Sequence, residues 1–375
     1  MMTKLSNAQL KADIAEGLGT TEIAEKHCMT TGAIRYRKRQ LAKSGWSPEH
    51  DMTKEVPEPY AVKGTSTLYD KDGNVVMQWV KTALDREQEL ALLQEAVDAI
   101  SETITPEVAR PYSGGPAPAE LLNLFILTDY HLGMLAWSEE TGDDWDMKIA
   151  EDLLVKWFAA AIASAPPAQV AIFGQLGDFL HWDGLDAVTP SSGHVLDADT
   201  RFQKLVRVAI RAQRRIISML LEKFPQVHVV CAEGNHDMAS SIWMRELLHV
   251  LYADEPRVTV DRSPDPYYCY EHGETALFFH HGHKRKAEQL ETVLVAKFRE
   301  VYGRTKHAYA HVGHLHHKKV LESAVMIVEQ HQTLAAKDAY ASRGGWLSER
   351  SASVITYHAR YGEVARFTIS PEMLE

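Results

Sequence analysis

The chain has 375 residues, 45% hydrophobic and 24% charged, ordinary proportions for a globular protein long enough to bury a large core. No apolar run reaches the roughly 18–20 residues of a membrane span, and residues 1–7 lack the apolar core of a secretion signal. The net charge of −11 is uneven: residues 1–44 hold eight Lys/Arg and four acids, +4, leaving −15 for the rest. A basic head on an acidic body confines any grip on nucleic acid to the head. Three scattered cysteines, Cys28, Cys231 and Cys269, argue against a disulfide framework and for a reducing compartment, so a cytoplasmic protein is expected.

Residues 6–44 read as a small helical module. Ser6 can cap a helix over residues 7–16, which Gly17-Leu18-Gly19 ends. Thr20 or Thr21 can cap a second over residues 22–27, and Thr30 or Thr31 a third running to Lys43. Two short helices joined by a tight turn, the last of them basic, match a helix-turn-helix. The third helix carries Arg35, Arg37, Lys38 and Arg39 with Tyr36 among them and no acid. The segment resembles the helix-turn-helix of phage and bacterial DNA-binding proteins. That resemblance implies DNA as a partner and these four cations as its contacts. A solvated basic helix in an oligomerisation arm would carry the same pattern.

Three domains follow: a helix-turn-helix over residues 1–45, a linking region over 46–118, and a body over 119–375. Residues 46–65 contain Pro, Glu and Gly without a clear period and read as a linker. A β-hairpin is expected over residues 66–69 and 75–80, turning at Asp70–Asn74, then a helix over 85–104.

The body alternates strands and helices, which predicts a layered α/β fold. Helices are expected over 146–164, 199–224, 240–252 and 284–301. Five short apolar runs, at 121–128, 170–176, 227–232, 276–279 and 308–312, each lead into metal-ligand residue types. Such runs suit strands buried on both faces, whose carboxyl ends hold ligands. Strand candidates at 324–328, 353–357 and 364–369 lack intervening helices. They suit an antiparallel extension of the sheet or a second sheet packed on the first.

The endings are Asp129-Tyr130-His131, Gly177-Asp178, Gly234-Asn235-His236-Asp237, His281 before Gly282, and Gly313-His314-Leu315-His316. Two divalent ions roughly 3.5–4 Å apart need a shared carboxylate with imidazole and oxygen ligands around it. On these five motifs, over roughly residues 120–330, the chain resembles the calcineurin-like metallophosphoesterases. Residues 128–133 look most like the DNA-repair nuclease branch. The resemblance implies an α/β/β/α sandwich with the small all-α head appended. It also implies Asp129, His131, Asp178 and His316 on one ion, and Asp178, Asn235, His281 and His314 on the other. His236 would then assist the leaving group, Asp237 would orient it, and a hydroxide between the ions would attack phosphorus. Manganese is the expected metal, with iron and zinc suiting the same donors. Extended backbone would put the i and i+2 ligands of Asp-x-His and His-x-His on one face.

Two features depart from the family. His181 stands where an acid or Asn is usual, with Asp183 nearby as a substitute acid and Trp182 as a base-stacking or a packed aromatic. Asn235 lies 57 residues after Asp178, a long connection that often shapes substrate choice. The excess lies in residues 183–199, and the helix after that loop carries a basic stripe, Arg201, Lys204, Arg207, Arg211, Arg214 and Arg215, fit for a solvated face or a phosphate track. His181, His283 and Arg343 are candidate substrate contacts. A metal-dependent DNA nuclease is the preferred reading, with a phosphoesterase for a small nucleotide or phosphoprotein as its alternative and an inert metal domain as a third. Head and body together suggest a phage-borne protein, working in bacterial cytoplasm, and helix-turn-helix proteins and this nuclease branch often dimerise.

Overall fold

The computed structural model divides the chain into two units, residues 1–100 and 101–375. It describes residues 5–52, 54, 56, 60–84, 107–109, 111–190, 193–345 and 347–374. The helix expected over 85–104 lies outside the described residues.

In the first unit three helices, α1 (Asn7–Ala15), α2 (Thr20–Lys26) and α3 (Thr31–Lys43), occupy the expected positions. Ser6 Oγ accepts from Gln9 N at 3.1 Å while the Gln9 side chain accepts from Ser6 N at 3.0 Å, a capping box. Thr30 Oγ1 accepts from Ala33 N and starts α3. Gly17 and Gly45 take positive φ of 84° and 93°, the left-handed backbone that ends a helix without a Cβ penalty. Leu10, Ile23, Ala24, Ile34 and Leu41 meet in one core. Asp13 is buried beside it and takes bonds from Lys26 Nζ and His27 Nε2, both 2.6 Å. The hairpin is longer than expected, β1 (Tyr60–Tyr69) against β2 (Val75–Leu84). Its ladder continues through polar residues and Gly64, which gave no apolar alternation to read.

The second unit is built on two sheets. One has six strands in the order β13-β12-β3-β4-β5-β6, and the other five in the order β10-β11-β9-β8-β7. In chain order these are β3 (Leu121–Leu127), β4 (Val170–Gln175), β5 (Gln226–Cys231), β6 (Val258–Val260), β7 (Tyr268–His272), β8 (Thr275–Phe279), β9 (His307–Val312), β10 (Lys319–Glu322), β11 (Ile327–Gln330), β12 (Ala352–His358) and β13 (Gly362–Ile369). Strands β3 to β6 are parallel, as are β8, β9 and β11. Both expectations for the tail are met in part. β12 and β13 extend the first sheet antiparallel, whereas β10 and β11 join the second.

Leu122, Leu124, Ile126 and Ile172 of one sheet pack on Leu277, Phe279 and Tyr268 of the other. The outer face of the first sheet presents Phe125 and Phe173 to Phe158 and Phe224, on and beside the helices Met147–Ser164 and Phe202–Lys223. The outer face of the second sheet is covered by the helix Ala287–Lys297 through Leu290 and Leu294. The order of layers is therefore α/β/β/α. The long helix expected over 284–301 is shorter and breaks at Phe298, after which Arg299–Arg304 form a separate turn. No helix among the described residues is long and apolar enough to cross a membrane.

Candidate metal centre

β3, β4 and β8 are largely apolar because they are buried, β5 and β9 are mixed and become buried toward their carboxyl ends, and the ligand-type residues follow where each strand ends. Those ends lie together. Asp129 N donates to Gly177 O and His131 N to Asp178 O, both 3.0 Å, and Gly313 N donates to His281 O at 2.8 Å.

The ligand-type side chains then meet in two groups, Asp129 with His131 and His316, and Asp178 with His281 and His314, the donor atoms of each lying within 4.8 Å of one another. Asn235 joins the second, its Oδ1 3.0 Å from His281 Nε2. All seven predicted ligands are thus brought to one place.

The hydrogen bonds test whether a cation fits. His281 Nδ1 lies 2.9 Å from the Leu176 carbonyl and must donate to it. In the neutral ring Nε2 is then a lone pair, yet it faces Asp178 Oδ2 at 3.1 Å and Asn235 Oδ1 at 3.0 Å. His131 Nε2 and His316 Nε2 face each other at 3.4 Å, with Asp129 Oδ1 3.1 Å from the latter. Acceptors converging without a proton between them call for positive charge. Burial pushes the His281 imidazole down, but Asp178 and Asp129 outweigh it and raise it to about 10. Burial would raise the Asp178 carboxyl, but His281, His236 and His131 hold it well below its usual range. A divalent ion meets this demand, and the buried Asp/His donor set suits manganese, iron or zinc.

The backbone departs from expectation. Asp129, His131, Asp178, His314 and His316 all have positive φ, between 47° and 74°. The Asp-x-His and His-x-His pairs are therefore not extended. The chain folds back at each ligand, so both members of a pair reach the centre from a tight loop. A non-glycine residue in this region is strained by roughly 1–2 kcal/mol, and such strain gathers at functional sites. Two glycines permit the close approach. A Cβ on Gly313 would lie 1.9 Å from Thr128 Oγ1 and 2.4 Å from Asp129 Oδ2, and one on Gly234 would lie 2.1 Å from Asp178 Oδ1.

His236 is tied to this centre twice. Its backbone N–H donates to Asp178 Oδ1 at 2.8 Å, and its Nδ1–H donates to the His181 carbonyl at 2.8 Å. Nε2 is the nitrogen left to exchange a proton. The expected role of Asp237 is not what the structure has. Asp237 is fully buried and accepts from the backbone N–H groups of Asp178, Phe179, Leu180 and Gly234, at 2.7–3.2 Å. Four donors occupy its carboxylate, so it shapes the Asp178 loop, while the His181 carbonyl orients His236.

His181 is buried between His131 and His236, its Nδ1 3.3 Å from His131 Nδ1 and its Nε2 without a partner among the described residues. Burial, with His236 beside it, pushes it down to about 3, so it is neutral. Asp183 is not a substitute acid. It caps the helix Met238–Leu251 from outside, accepting from Ala239 N and Ser240 N at 2.5 and 2.8 Å. Trp182 is a packed aromatic, 1% exposed, against Gly133, Leu205 and Phe202. Arg343 is held by Glu140 at 2.6 Å and is largely exposed, so a carboxylate takes the charge expected to face substrate. His283 packs against the second ligand group, its ring centre 5.2 Å from that of His281.

In the basic stripe, Arg211 is bidentate to Glu151 and Arg214 is bonded to Glu107, which neutralises part of it. In α3 of the first unit, Arg37 reaches Leu5 O and Asn7 Oδ1 and Lys38 pairs with Glu49. Two of the four expected DNA contacts therefore brace the module itself, whereas Arg35, Tyr36 and Arg39 stay exposed. Thr333 was missed in the sequence. Its Oγ1 donates to Asp129 O at 2.7 Å from 204 residues away, a distance no local pattern spans.

No family model matches the chain, and no curated protein matches it. Among solved structures it is similar to a predicted phosphoesterase from Streptococcus pneumoniae TIGR4, at 12% identity and a TM-score of 0.31, covering 68% of this chain and 92% of that one. It is also similar to a zinc complex of Vps29 from Entamoeba histolytica, at 10% identity and a TM-score of 0.29, covering 67% and 99%. Vps29 from Cryptosporidium parvum gives 17% identity and a TM-score of 0.22 over 40% of this chain and 83% of its own. At these levels the function has to be argued from the site itself.

Proposed function

We propose that the chain is a dinuclear metal-dependent phosphodiesterase of the calcineurin-like kind, and that its substrate is DNA. One observation carries the reaction class: seven ligand-type side chains from five strand ends meet beside a histidine whose Nε2 is open. When bound, two divalent ions supply a nucleophile from water near neutral pH and offset charge on the phosphoryl oxygens. Asp178 belongs to the second ligand group, Oδ2 toward His281 and Oδ1 accepting from His236 N–H, and would be the carboxylate shared with the first. The bond from His236 Nδ1 to a backbone carbonyl holds the ring so that Nε2–H of the protonated form can meet the leaving oxygen. Neutral His181 beside it adds no competing charge.

DNA as substrate is supported by the helical module with Arg35, Tyr36 and Arg39 on the exposed face of its third helix. Such a head would raise the local concentration of a tethered body. The acidic body and the carboxylate partners of Arg211, Arg214 and Arg343 favour a second reading, a small nucleotide or phosphoprotein substrate.

The test is hydrolysis by metal-free protein refilled with Mn²⁺, offered linear, single-stranded and circular DNA beside chromogenic phosphodiester and phosphomonoester. DNA cleavage that His236→Ala abolishes is expected. Turnover of the small esters alone would select the second reading, and no turnover with any divalent metal would refute the enzyme.

A further inference from the structure

The chain between β11 and β12 crosses from the second sheet to the first, and its start is held by a buried polar network that the metal centre does not use. His311 of β9 and Glu329 of β11 belong to the second sheet, Tyr357 of β12 and Arg366 of β13 to the first. His311 Nδ1 lies 2.9 Å from His331 Nε2, and its Nε2 lies 3.0 Å from the Tyr357 hydroxyl. Arg366 donates to both oxygens of Glu329, each at 2.7 Å. His331 N donates to Val312 O at 2.9 Å, directly before Gly313 and His314. A buried network whose members satisfy one another fixes a single arrangement of the elements it joins.

Thr333 follows two residues later on this braced segment and is itself buried. Its carbonyl accepts from Ser351 N at 3.0 Å, and its Oγ1 accepts from Ala335 N at 3.0 Å. The one proton of the hydroxyl goes to Asp129 O at 2.7 Å, since a carbonyl can only accept. No other hydrogen bond reaches that carbonyl among the described residues. Asp129 is one of the left-handed residues, at φ 50°, and its N–H is taken by Gly177 O. Its carboxylate meets the other sheet's residues: Oδ2 accepts from His314 N at 2.8 Å and Oδ1 lies 3.1 Å from His316 Nε2. The first ligand group is thus assembled from two sheets, and the Thr333 hydroxyl ties the Asp129 peptide to the segment that links them.

We propose that Thr333 is a positioning residue for the first metal ion: its hydroxyl holds the Asp129 backbone in the left-handed turn and so sets the carboxylate against His316. This rests on the two-ion phosphodiesterase reading and deepens it, because it names a side chain outside the ligand set that governs one ion and not the other. Groups that orient a ligand in this way change metal affinity without touching the metal.

The test titrates the metal-free full chain with Mn²⁺ in wild type, Thr333→Val and Thr333→Ser. Valine keeps the shape and leaves Asp129 O buried without a donor, whereas serine keeps the donor. Metal per chain is read by equilibrium dialysis with mass spectrometry, and the metal-free fold by thermal unfolding. Thr333→Val is expected to weaken one ion by about ten- to hundredfold and to leave the other near wild type, with Thr333→Ser restoring both. Asn235→Ala, which removes a ligand of the second ion alone, identifies the one lost. At a Mn²⁺ concentration where each single variant keeps one ion, Thr333→Val/Asn235→Ala should keep none. Equal weakening of both ions, unchanged binding with only a lower unfolding temperature, or a double variant that still keeps one ion overturns the proposal. If valine does not fold, Thr333→Ala takes its place; failure of both beside a folded Thr333→Ser assigns the hydroxyl to the fold and likewise overturns it. Two ions bound with the expected split but no diester turned over would refute the phosphodiesterase and leave the positioning role standing. A wild type that binds no Mn²⁺ overturns both.

Discussion

Replacing Gly313 with alanine should empty the metal centre while leaving the fold intact. Gly313 has no positive φ, so alanine suits its backbone and the effect is steric alone. The new methyl would sit 1.9 Å from Thr128 Oγ1 and 2.4 Å from Asp129 Oδ2, against an ordinary contact of about 3.4 Å. Thr128 must therefore retreat by about 1.5 Å and the Asp129 carboxylate by about 1 Å. That shift breaks the 2.8 Å bond from His314 N to Asp129 Oδ2 and the 2.5 Å bond from Thr128 Oγ1. Overpacking of this kind costs about 1–3 kcal/mol, and misplacing a reacting group by about 1 Å costs about a hundredfold in rate. Metal content by mass spectrometry, turnover of a chromogenic diester and thermal unfolding read the three effects. The control is Gly303→Ala, in a helix with nothing within 4 Å of the new methyl. It should be neutral or stabilise by up to about 1 kcal/mol. Gly313→Ala with full metal content and wild-type turnover would refute the argument that Asp129 is a ligand held by this contact.

His236→Ala should lower turnover by about 10²–10⁴ while metal content stays at the wild-type level, since its ring is not counted among the ligands; loss of metal in this variant would contradict that role. Asp178→Ala should remove both ions together, as the shared position requires, and retention of one ion by equilibrium dialysis would place the bridge elsewhere. Glu329 carries a pH-dependent contribution to stability. Burial raises its carboxyl, but His331 and Arg366 outweigh that and hold it at about 2. A carboxyl lowered on folding stabilises at pH above its ordinary value, and the contribution fades as pH falls from about 4.5 toward about 2. It amounts to about 3 kcal/mol, of which about 2 is lost by pH 3. Urea unfolding of wild type and Glu329→Gln should show their difference shrinking between pH 6 and pH 3, and a constant difference would count against it.

The parts legible in sequence share a local cause. β3, β4 and β8 show as mostly apolar runs because both of their faces are covered, and the expected ligands show because each follows such a run. Ser6 and Thr30 show because caps act over three residues. What stayed hidden depends on distant partners. Asp237 looked like a companion of His236 by adjacency, yet its carboxylate turns to the loop after β4. Asp183 looked like a spare acid, yet a helix start 56 residues on uses it. The positive φ of five expected ligands was illegible because Asp and His do not announce that conformation as glycine does.

Those five left-handed, ligand-type residues set a conflict between durability and the proposed activity. At each, glycine would relieve the backbone by about 1 kcal/mol and delete a donor in the same change. Selection for thermostability alone would drift toward glycine at Asp129, His131, Asp178, His314 and His316, and would deliver hardier, inactive proteins. An engineer should stabilise this scaffold far from the strand ends and hold those five positions fixed.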